Sequence, residues 1–166
     1  GNNTKLITRQ ISASTKVATE PIPACYIMII HTDARQDFEG LADFIPVQKY
    51  SGQKQIHQGE IGSWKRMRII ATTAADVAEG GGSATTTGLE NDGSNVDVYK
   101  SLVFGRHAYG TMPLQKEGIE SIVKQLGNAG FDPLNQFGTT GWKAWTGGII
   151  LNDNFMVRYE HGVSEL

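Results

Sequence analysis

The apolar positions fall in short blocks whose spacing changes along the chain, and each block predicts an element. Ala24-Cys25-Tyr26-Ile27-Met28-Ile29-Ile30 is a continuous apolar run after Pro21 and Pro23, the pattern of a short strand buried on both faces. His31-Thr32 ends it. Asp33, with Gln36 three residues on, suits a helix start, and Ala34, Phe38, Leu41, Ala42 and Ile45 share one face at helical spacing. Pro46 closes that segment, because it lacks a backbone N–H and restricts its predecessor. Between Val47 and Gly62, polar residues punctuated by Gly52, Gly59 and Gly62 predict turns. Ser63 to Ala71 alternates, with Lys65, Met67 and Ile69 on one side and Arg66, Arg68 and Ile70 on the other. That predicts a single strand with one solvated or partner-facing side.

Outside these blocks the pattern thins. Residues 1–23, rich in Thr, Ser, Lys and Asn, read as an extended arm or linker ahead of a body spanning 24–166. Residues 72–95, with Gly80-Gly81-Gly82-Ser83 and Ala84-Thr85-Thr86-Thr87-Gly88, have the composition of a flexible loop. Such a loop is tolerable, since each doubling of its length costs only about 0.6 kcal/mol. Val96 to Phe104 predicts a strand and Gly105 to Gly110 a turn. Ile119, Ile122, Val123 and Leu126 fit a helix or a strand equally well. Gly141 to Leu151 and Phe155 to Tyr159 predict two strands joined at Asn152-Asp153-Asn154. The sum is an α+β chain with more strand than helix, a mixed sheet with flanking helices.

A chain of 166 residues fits one domain, and a domain of that size buries about two-thirds of its unfolded surface. The content of 39% hydrophobic and 19% charged residues is globular. The formal net charge of -2 lacks the cationic excess of a dedicated nucleic-acid binder, so any contact with DNA should be local, weak and non-specific. Cys25 is the only cysteine and sits in an apolar run, which suits a reducing compartment. No apolar run approaches the ~20 residues that span a bilayer, and no signal-peptide pattern opens the chain, so no membrane partner is expected. The start at Gly1, without Met, suggests a fragment or a processed form.

Candidate chemistry is sparse. His31, Asp33 and His57, with Glu60, are the residues from which a small metal-dependent hydrolase would be built, but Asp33 also suits a helix cap and the others share no ligand spacing. No Gly-x-Ser-x-Gly announces a nucleophile, and Gly80-Gly81-Gly82-Ser83 lacks the Lys-Ser/Thr ending of a phosphate-binding loop. No catalytic residue, metal or cofactor is expected. Arg66 and Arg68, two residues apart on one strand, would face the same partner, either a phosphate or a carboxylate. Trp142 and Trp145 have opposite strand parity, so either one fills the core while the other is left to a partner or a rim, or both pack in the core. A monomeric ligand-binding module displaying one of these tryptophans is a further alternative.

Longer stretches carry a resemblance. Ile22-Pro23-Ala24 through His31-Thr32-Asp33 to Phe44-Ile45-Pro46-Val47, then Gly59-Glu60-Ile61-Gly62 with Arg66-Met67-Arg68, resemble segments of tailed-phage major capsid proteins. So do Gly105-Arg106-His107-Ala108-Tyr109-Gly110, Asp132-Pro133-Leu134-Asn135-Gln136, Gly141-Trp142-Lys143 and Ile150-Leu151-Asn152-Asp153, in the same order. The resemblance implies the C-terminal portion of a coat fold of the Hong Kong 97 type: the axial domain plus closing strands of the peripheral domain. Nothing before Tyr26 corresponds to the spine helix or the extended hairpin of that fold. The implied role is a non-enzymatic structural subunit of the virion, assembled in the bacterial cytoplasm into an icosahedral head. Its partners would be copies of itself, the rest of the coat subunit, and scaffolding, portal or decoration proteins. Arg66, Arg68, Arg106, Trp142 and Trp145 are the candidate interface residues.

Overall fold

A computed structural model describes residues 4–11, 19–51, 55–84, 88–89, 95–113, 119–126, 134 and 136–164. The chain divides into two compact units, Gly1–Ala108 with Asn152–Leu166, and Tyr109–Leu151.

The first unit is built on β2 (Thr19–Ile30), twelve residues long. Its second half pairs in parallel with β5 (Met67–Ala71) and antiparallel with β7 (Val98–Phe104). A parallel neighbour needs a long connection. Here the chain passes through α1 (Arg35–Glu39), β3 (Phe44–Pro46) and β4 (Glu60–Trp64) before reaching β5. With β12 (Met156–His161) the order is β12-β7-β2-β5-β4-β3, while β1 (Ile7–Ile11) pairs with β2 and β6 (Val77–Ala78) with β7. Met28, Ile30, Ala34, Ile69, Tyr99 and Val163 form the buried cluster, with Phe38, Trp64 and Val103 packed against it.

Several expectations change. β2 begins well before Ala24, because β1 pairs with Thr19 to Cys25 and turns part of the supposed arm into sheet; residues 12–18 lie outside the described ones. Pro21 and Pro23 are tolerated because the β5 and β7 ladders begin only at Tyr26 and Ile27. The predicted helix shrinks to five residues. Ala34, not Asp33, is its N-cap and no side chain caps it, while Phe44 to Pro46 continue as an edge strand opposite β4. Helical spacing there was satisfied by chance, and pairing with β4 decided the outcome.

Ser63 to Ala71 is not one strand. β4 turns into β5 through Lys65 and Arg66, with Trp64 opposite Met67 and Lys65 at φ 53°. Hairpin loops of this length favour Asn-Gly or Asp-Gly, so a Lys-Arg turn between alternating residues leaves no local mark. Within 72–95, β6 pairs with β7, Gly80 N–H donates to the Asp97 carboxylate, and Leu89 N–H donates to Val163 O. The parts described are thus tied to the sheet; 85–87 and 90–94 lie outside the described residues. Among the described residues the α-helical content is α1 alone, so the expected flanking helices reduce to one short turn.

The elements described in the second unit are all strands. β8 (Tyr109–Pro113) pairs with β11 (Thr146–Ile150), and β9 (Ile119–Lys124) pairs with β10 (Thr139–Ala144), both antiparallel. The registers nest, so the two ladders follow one another along the same two chain segments. The open choice at 119–126 thus resolves to strand through Lys124. The expected single strand over 141–151 divides between β10 and β11 at Trp145. The turn expected from Gly105 through Gly110 ends earlier, since β8 begins at Tyr109.

Candidate functional site

The nested ribbon is where the largest apolar side chains meet solvent. Trp142 is 76% exposed, Trp145 53%, Ile119 65%, Val123 66% and Ile149 60%. A two-stranded ribbon has no second layer to bury such groups, and a lone hairpin is marginal in water. Directly opposite on the ladder, Lys143 Nζ lies 2.8 Å from Glu120 Oε2, but both side chains are nearly half exposed, so the pair contributes at most about 1 kcal/mol. Among the described residues of the unit, nothing covers this surface. The tryptophans do not divide by strand parity: Trp142 lies in β10 and Trp145 between strands, and both face solvent.

In the first unit an open apolar groove of about 620 Å³ runs beside α1, lined among others by Phe38, Leu41, Trp64, Met67, Val157 and Tyr159. Its floor is the β12-β7-β2-β5 face that the short helix leaves uncovered.

The arginines separate. Arg66 sits exposed in the β4–β5 turn, whereas Arg68 points into the body. Arg68 Nη1 donates to Glu60 Oε1 at 3.0 Å, the Glu60 side chain is fully buried, and the guanidinium lies 4.8 Å over the Tyr50 ring. Tyr50 O–H and Ile56 N–H complete the carboxylate's shell at 2.9 and 2.7 Å. Burial, opposed by a Ser63 hydrogen bond and reinforced by Glu60, pushes the Tyr50 phenol up to about 12. Burial also pushes the Cys25 thiol up, away from nucleophilic character. Arg106 is exposed in the turn after β7, its N–H donating to Lys5 O.

Of the three hydrolase candidates, His31 and Asp33 meet, while His57 is engaged in its own turn. His31 Nδ1 lies 3.1 Å from Asp33 Oδ2, which accepts the Tyr99 O–H at 3.0 Å. His57 Nδ1 instead accepts Gly59 N–H in its own turn. Among the described residues no group of three or more His, Cys, Asp and Glu could hold a metal ion, and no helix is long and apolar enough to cross a membrane. One pairing was missed entirely: Ser101 Oγ lies 2.8 Å from His161 Nε2, while His161 Nδ1 lies 2.9 Å from Gly162 O. The carbonyl can only accept, so Nδ1 carries the proton and, in the neutral ring, Nε2 accepts from Ser101. The pair has the atoms of a nucleophile and base, but Ser101 is 0% exposed, so no substrate carbonyl can reach it. Sixty residues separate the two, and only the β7–β12 ladder joins them.

No family model matches the chain. The major capsid protein of Pseudomonas phage KPP21 is 24% identical over 159 residues, a match covering 87% of this chain and 40% of that protein. The chain thus spans two-fifths of the length of the curated relative it matches.

Proposed function

We propose that the chain is part of the structural subunit of a phage head, working through contacts with copies of itself and not by catalysis. The observation that carries this reading is the Tyr109–Leu151 unit, whose large apolar side chains lie exposed among the described residues. The similarity to a phage major capsid protein supports it.

Magnitudes favour assembly through several weak contacts. Covering a large apolar side chain contributes at most ~1.5–3 kcal/mol, and these side chains begin partly covered. A handful of them then supplies on the order of 5–10 kcal/mol, similar to the roughly 4–15 kcal/mol cost of associating two bodies. A single ribbon contact is therefore weak, and stability comes from closure, each subunit meeting several neighbours through heterologous contacts. In the finer reading residues 24–166 form the axial domain with closing strands of the peripheral domain of a Hong Kong 97-type coat. The shell would be icosahedral, assembled in the host cytoplasm, with scaffolding, portal or decoration proteins as further partners. Arg106, Trp142 and Trp145 remain interface candidates, while Arg68 acts inside the subunit.

Electron microscopy of the full-length parent protein, expressed with its assembly partners, tests this. Regular shells are expected, and Trp142→Glu with Ile149→Asp should reduce their yield. Discrete monomers of the unsubstituted protein under all conditions would overturn the reading.

A further inference from the structure

A second concave surface of about 610 Å³ lies in the first unit, at the foot of the β4–β5 hairpin. Lys49, Lys65, Arg66 and Arg68 line it together with Ser51, Ser63 and Tyr50, whose O–H is held by Glu60, beside apolar residues such as Ile22, Ala24 and Met67. Among the described residues no carboxylate lines it, although acidic residues outnumber basic ones in the chain by 17 to 15. The four cations are not equivalent. Arg68 is held by the buried Glu60, and Lys65 Nζ sits 4.5 Å over the Trp64 ring, an interaction that leaves its charge uncompensated. Lys49 and Arg66 are exposed and have no ion-pair partner among the described residues. Three cations without an ion-pair partner among the described residues thus line one cleft.

We infer that this cleft takes the phosphodiester backbone of nucleic acid. Duplex DNA carries one negative charge per about 1.7 Å of axis, dense enough to engage three neighbouring cations at once. Lysine, arginine and hydroxyl donors together make up the usual set for phosphate contacts, and such contacts position a protein without reading sequence. The overall charge of -2 does not oppose this, because short-range attraction is set by the local cluster once salt screens charges beyond about 8–10 Å. The inference does not depend on the shell reading. Failure here leaves that reading standing, and failure of assembly leaves this one testable on the chain itself.

The test is fluorescence anisotropy of a labelled 20-base-pair duplex titrated with the chain between 50 and 200 mM salt. Three released counterions predict a slope of log affinity against log salt of about -2.7, hence an affinity loss of about 40-fold over that range. Arg66→Ala and Lys49→Ala, both at exposed positions, should each lower the slope by about 0.9 and weaken binding at 50 mM. Lys143→Ala, in the other unit, should change neither. Circular dichroism checks that each variant is folded. Absence of binding at 50 mM, slopes indifferent to Arg66 and Lys49, or equal competition by poly-glutamate at matched charge would overturn the assignment, the last by making the cleft a site for acidic peptides.

Discussion

Replacing Glu60 by Ala is the sharpest test of the body's internal chemistry. The carboxylate has no exposed side-chain surface and accepts bonds from Tyr50 O–H, Ile56 N–H and Arg68 Nη1, the last at 3.0 Å to one oxygen and 3.5 Å to the other. Arg68 keeps only 11% exposure, so its charge is poorly rehydrated once its buried carboxylate partner is gone. Breaking such a pair from one side costs about 3–5 kcal/mol, against total stabilities of about 5–15 kcal/mol. With a urea dependence of about 2 kcal/mol per molar, the midpoint should fall by about 1.5–2.5 M. The double variant Glu60→Leu with Arg68→Met should recover most of that loss, since it is the stranded cation and not the missing attraction that dominates. Urea melts followed by circular dichroism measure both. If Glu60→Ala moves the midpoint by less than about 0.5 M, or the double variant is no better than the single one, a stranded Arg68 charge is not what destabilises the body.

Other expectations follow the same geometry. Gly62→Ala should cost about 1–3 kcal/mol, because a Cβ there would meet the Phe44 ring and lie 2.6 Å from Ile45 O; thermal melting checks it. The folded state keeps the Tyr50 phenol neutral, from an ordinary value of 10.0 up to about 12. Its contribution is therefore complete below pH 10 and is lost as pH rises through about 12, and Tyr50→Phe should flatten the fall in stability across that window. Ser101→Ala should cost about 1–3 kcal/mol by leaving the half-buried His161 Nε2 without its partner, measurable by urea melting at neutral pH. Trp142→Glu should lower binding of an apolar dye without moving the urea midpoint of the first unit, since Trp142 already faces solvent.

The resemblance in short words was visible in the chain, as was the apolar block Ala24–Ile30, whose spacing and composition are local properties. The absence of a catalytic motif could also be read directly. Hairpin closure at Lys65-Arg66 could not, because no residue there needs the left-handed backbone that Lys65 adopts. Helical spacing from Ala34 to Ile45 misled for the converse reason: Phe44 and Ile45 gain more from the β4 ladder than from a fourth helical turn.

Composition, charge and local pattern alone determined that this is a strand-rich chain with one buried thiol and no dominant charge. Only tertiary structure decided which residues act together: Glu60 with Arg68, Ser101 with His161, and Lys49 with Arg66 in one cleft. It also decided that Trp142 and Trp145 face water. Pair formation across a sheet depends on register between distant segments, and exposure depends on whether a second layer exists; neither is a property of any local stretch of sequence.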